Sequence, residues 1–141
     1  MKFESKPARL GSAPATLRAL AWALAALAAP AFADQDVTSS DGQWKLHAKL
    51  ADSVAVGKSS EAMINVTAAA GAKGCPTVSS VVFEMPSHGH GGNVDAMVMS
   101  MSGCQFHVTD LNPSMGGAWR LRLVLKADGK TSNADFPVTA K

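Results

Sequence analysis

Two short segments hold the side chains best suited to chemistry. Met85-Pro86-Ser87-His88-Gly89-His90-Gly91-Gly92-Asn93 sets two imidazoles one residue apart among glycines. Asn112-Pro113-Ser114-Met115-Gly116-Gly117 adds a second thioether to that of Met85. Imidazole nitrogen suits Cu(II) or Cu(I), and thioether sulfur prefers Cu(I). His88, His90, Met85 and Met115 therefore form a candidate copper set, whereas Mg²⁺ and Ca²⁺ want oxygen ligands. The glycines let the backbone turn tightly about a ligand. A plainer reading stands beside this one. The histidines are solvated in a Gly-rich loop, and Met85 and Met115 plug the end of the core.

The remaining donors carry less. Met97, Met99 and Met101 share one face of a strand, a stripe expected in a core or an interface rather than in a ligand set. His47 and His107 fall at outward strand positions and read as surface histidines. Cys104-Gln105-Phe106-His107 with Met115 resembles a blue-copper Cys–His–Met set, but Cys104 opens a strand, Met115 lies too far from His107, and Cys75 offers Cys104 a partner. Catalysis finds no support. G-x-S-x-G, Walker and HExxH patterns are absent, the chain has no Tyr, and Ser87 beside His88 is adjacency without a triad.

Alternation sets the elements that must position these groups. Residues 44–50, 62–68, 78–84, 96–101, 104–109, 119–125 and 135–138 read as seven short strands, with Pro137 marking the last as an edge. Trp119, Leu121, Leu123 and Leu125 give the clearest apolar face. Turn residues at 56–60, 71–74, 89–93, 102–103, 112–117 and 127–129 separate the strands. The expected fold is all-β, a seven-stranded immunoglobulin-like antiparallel sandwich. If successive strands alternate in direction, the loops at 85–93 and 112–117 share one end. Cys75 and Cys104 then share the other.

The chain has 141 residues, 47% hydrophobic and 17% charged, enough for one domain and too apolar for disorder. Its formal charge of +2 is uneven. Residues 1–33 hold Lys2, Lys6, Arg9 and Arg18 against Glu4 alone. Taking these from the 13 basic and 11 acidic residues leaves nine and ten, a net of −1 over residues 34–141. A near-neutral domain without a basic cluster argues against nucleic acid or anionic lipid as partner. The basic start, the uncharged run from Ala19 and the closing Ala31-Phe32-Ala33 read as a signal peptide cleaved after Ala33. An uncleaved anchor is the alternative, although the apolar run is shorter than the roughly 20 residues needed to span a bilayer. The expectation is a periplasmic or secreted domain over residues 34–141, with no span in the mature chain. In an oxidising compartment a lone cysteine pair is most simply a disulfide, Cys75–Cys104.

With those loops in place, the chain resembles the YtkA-like/FixH-like group of exported domains over roughly residues 42–139. That group has a Met-Pro loop rich in Met, His and Gly, then a G-x-[aromatic] strand, then a Met-x-Gly-x-Trp turn into a long alternating strand. Met85 to Gly91, Gly103-Cys104-Gln105-Phe106 and Met115-Gly116-Gly117-Ala118-Trp119 stand at the corresponding places as a loose match. The resemblance implies an immunoglobulin-like sandwich on the outer side of the cytoplasmic membrane. FixH-type members are linked to copper supply for cytochrome oxidase; many YtkA-type members have no known activity. A signal peptide stands here in place of FixH's anchor. Two functions follow as expectations: a copper-handling protein with His88, His90, Met85 and Met115 as ligands, or a metal-free module binding a protein partner through a sheet face or edge.

Overall fold

The computed structural model describes Gly11 and residues 32–88 and 96–141. Most of the expected signal peptide, and His90 with its glycine neighbours, lie outside the described residues. Nine strands follow in order: β1 (Phe32–Thr38), β2 (Trp44–Ala51), β3 (Ser53–Val54), β4 (Ser60–Ala68), β5 (Thr77–Glu84), β6 (Met97–Met101), β7 (Gln105–Leu111), β8 (Gly117–Ala127) and β9 (Lys130–Ala140). They form two sheets, β1-β2-β4-β7-β6 and β3-β9-β8-β5. The fold is an all-β sandwich. No helix among the described residues is long and apolar enough to cross a membrane.

Alternating side chains account for the core. Trp44, Leu46, Ala48 and Leu50 of β2, Ile64 and Val66 of β4, and Phe106 and Val108 of β7 face inward from the first sheet. Phe83 of β5, Trp119, Leu121, Leu123 and Leu125 of β8, and Phe136 and Val138 of β9 meet them from the second. Phe83 and Trp119 stack with ring centroids 4.8 Å apart, an offset aromatic contact that adds to plain burial. The β8–β9 hairpin turns through Asp128 and Gly129, both at positive φ (51° and 73°), the conformation that a two-residue Asp-Gly turn favours.

Each of the seven expected strands is present, and two more join them. The described residues thus hold nine strands where seven were expected; β1 and β3 were not foreseen because they lack a run of alternating large apolar residues. The sandwich is antiparallel except for β3, which pairs with β9 in parallel through Ser53↔Thr139 and Val54↔Ala140. For the same reason β9 is not an edge along its whole length. β3 reaches only Thr139 and Ala140, so residues 130–138, Pro137 among them, have no strand beside them on that side; there Gln35 Nε2 donates to the Pro137 carbonyl at 3.0 Å, and the Ser40 amide donates to the Asn133 carbonyl at 2.8 Å. The expected cleavage point after Ala33 falls inside β1, and five registered pairs to β2, Asp34↔Lys49 through Thr38↔Lys45, lie on its mature side.

On the outer face of the second sheet, Arg122 forks onto the facing Asp135 at 2.6 and 2.7 Å. Arg120 bonds Glu84 and lies 3.8 Å from Asp135. The hydrogen bonds from Arg122 hold the Asp135 carboxyl below its ordinary 3.8, against partial burial, which opposes the shift. A carboxyl depressed in the folded state contributes stability above the unfolded value, and that contribution is lost as pH falls through the folded one. Asp135 is 39% exposed, so the pair belongs to the weak, partly screened class. Asp135→Asn is expected to cost about 0.5–1 kcal/mol at pH 7 and almost nothing at pH 2. Urea unfolding at the two pH values checks this; an equal loss at both would show that charge is not the cause.

Candidate metal site

The pole begins where β5 ends. Phe83 faces the core, Glu84 faces out, and Met85 turns inward again, leaving it 4% exposed. Pro86–His88 then form one turn of 3-10 helix, with the His88 amide donating to the Met85 carbonyl at 3.2 Å. The His88 side chain is exposed.

The second loop enters β8 from the other side. Pro113 is fully buried, and its carbonyl accepts the Gly57 amide at 2.9 Å. The Met115 carbonyl accepts the Trp119 indole N–H at 2.9 Å, which fixes the turn and leaves the Met115 side chain 46% exposed. Gly117 sits at φ +133°, and a Cβ there would lie 2.9 Å from the Met85 Cε. The end of the Met85 side chain thus occupies the space that glycine leaves open. This contact ties the two loops together.

The disulfide closes the opposite end. Cys75 precedes β5 and Cys104 lies between β6 and β7, so the bond joins the two sheets, with Cα atoms 5.5 Å apart. Met85 and Cys75 lie beyond opposite ends of β5, whose eight residues span about 23 Å.

The four expected ligands therefore differ in what they offer. His88 and Met115 are exposed at the same end. Met85 lies beneath them in the core, so its thioether meets a metal only by leaving its packing against Gly117. His90 lies outside the described residues. Among the described residues, no group of three or more His, Cys, Asp or Glu side chains could hold a metal ion. The fit to copper thus rests on an exposed imidazole and an exposed thioether, a soft pair. A surface pocket of about 730 Å³ is lined by residues that include Phe32, Lys58 and Asp110, with no sulfur or imidazole.

Elsewhere, His47 directs Nδ1 to Asp36 at 2.8 Å and has Nε2 3.7 Å from Asp34. His107 Nε2 lies 2.8 Å from Glu61. Met97, Met99 and Met101 are not core. They are 60%, 51% and 48% exposed on the outer face of edge strand β6. Sequence reading overlooked Met63 and Glu61, both outward on β4. The inward alternation of Ala62, Ile64 and Val66 was the signal that could have placed them.

No family model, no curated protein and no solved structure matches this chain.

Proposed function

We propose that the chain is a non-catalytic, exported β-sandwich of immunoglobulin-like, YtkA/FixH-like type that binds copper at the pole of His88, His90 and Met115. The observation that carries this reading is the exposure of His88 and Met115 at one end, on two loops locked together by Met85 against Gly117. Imidazole and thioether there favour copper over hard cations. The Cys75–Cys104 bond supports export to an oxidising compartment, periplasmic or extracellular. Titrating the purified protein with Cu(II), and anaerobically with Cu(I), is expected to show saturable binding of both, with Cu(II) broadening resonances from the His88 loop first. Failure of both ions to bind would remove the reading.

A second reading has one observation in its favour. Met97, Met99 and Met101 line an exposed edge strand, which suits a metal-free module docking a protein partner. That module tolerates His88→Ala, and the copper protein does not.

A further inference from the structure

The outer face of the five-stranded sheet carries a group of soft donors distinct from the pole. Met63 of β4 faces His107 of β7, and His107 faces Met99 of β6, each pair in direct register. Directly opposed residues place their Cβ atoms about 4.5–5.5 Å apart. Two thioethers therefore flank one imidazole across three neighbouring strands. Met97 and Met101 stand on either side of Met99, two residues away on the same face, at about 6.6 Å. Four of the seven methionines in the chain gather on this surface. Burial does not explain them, since Met97, Met99 and Met101 are about half exposed or more. Strand propensity does not either, because β-branched and aromatic residues suit those positions better.

His107 supplies the second observation. Its Nε2 lies 2.8 Å from a Glu61 carboxylate oxygen. When Nε2–H donates to Glu61, the neutral ring carries its lone pair on Nδ1, the nitrogen left for a ligand. Metal-bound histidines characteristically donate the other ring nitrogen to a carboxylate, which sets the tautomer and raises ligand basicity. His47 is the internal contrast. Both its nitrogens meet carboxylates, and neither of its register neighbours, Asp36 and Asn65, carries sulfur.

We propose that Met63, His107 and Met99, with Met97 or Met101 as a further donor, form a second metal site, selective for Cu(I), in which Glu61 orients His107. One imidazole and two or three thioethers match a soft monovalent ion and leave Cu(II) under-ligated. The site uses no residue of the pole, so the two readings stand or fall separately.

The test uses the full exported protein with its disulfide intact and the substitutions His88→Ala and His90→Ala, which remove the pole histidines. Cu(I) is supplied anaerobically in competition with a chromophoric Cu(I) chelator, and the methionine ε-methyl resonances are followed by NMR. One equivalent of Cu(I) is expected to shift Met63 and Met99, with Met97 or Met101, while buried Met85 stays unmoved. Met63→Leu with Met99→Leu keeps the face apolar and should lower Cu(I) affinity at least tenfold. Glu61→Gln should lower it about tenfold, the range for an outer-shell partner of a histidine ligand. Unchanged affinity in the Met63→Leu/Met99→Leu protein overturns the site. So does a methyl shift that follows protein concentration rather than Cu(I), which would make the face a self-association surface. If the pole binds copper and this face does not, only this proposal falls.

Discussion

Replacing Cys75 and Cys104 together by serine is expected to lower the unfolding free energy by about 3–4 kcal/mol. The cysteines are 29 residues apart in sequence, and opening a loop of that length frees the unfolded chain in the entropic account. The native state loses little in exchange. Cys104 sits at φ 58° after Gly103 at φ 72°, and its carbonyl accepts the Val66 amide at 2.9 Å, both of which serine retains. The bond also joins the sheets at the end away from the Met85–Gly117 contact, so the loss falls where nothing else crosses covalently. A domain of this size has about 5–15 kcal/mol in all, which makes this a large share. Urea unfolding of the two proteins measures it, and the Ser variant should also show a larger m-value, because its unfolded chain is more expanded. A loss under about 1 kcal/mol would mean that the unfolded chain keeps these ends together without the bond.

The strands that alternate strongly were legible in the sequence, and the reason is visible in the core. Trp119, Leu121, Leu123 and Leu125 fill one side of β8 and are all buried. β1 escaped notice because its inward residues are Ala33, Gln35 and Val37, only one of them a sizeable hydrophobe, and none is fully buried. β3 is two residues long and exists only because β9 lies beside it. The pole was legible through strand direction alone, since an antiparallel chain returns every second loop to the same end. Depth was not legible. Alternation continues from Phe83 to Met85 and sends that thioether inward, while the Trp119 indole holds the Met115 carbonyl and leaves that side chain out. The Met63, His107 and Met99 row was hidden for a different reason. It depends on β7 lying between β4 and β6, a strand order that no local period encodes.

His88→Ala with His90→Ala is expected to abolish Cu(II) binding at the pole and leave the fold intact. Cu(II) needs nitrogen or oxygen donors, and the thioether of Met115 does not replace imidazole for it. The structural cost is small because the His88 side chain is exposed. Its backbone amide, which closes the turn onto the Met85 carbonyl, survives the change to alanine. The Met85 contact with Gly117 that joins the two loops does not involve His88. Thermal unfolding should therefore shift by no more than a surface substitution allows, within about 0.5 kcal/mol. Cu(I) behaves differently, since Met115 at the pole and the Met63–His107–Met99 row both keep soft donors, so Cu(I) binding should persist after Cu(II) binding is gone. Isothermal titration with each ion separates the two. Unchanged Cu(II) affinity would take the pole out of copper chemistry, and loss of folding would show the histidines to be structural. Loss of Cu(II) with Cu(I) retained is the pattern that assigns Cu(II) to the pole imidazoles and leaves Cu(I) on sulfur, at Met115 or in the Met63–His107–Met99 row.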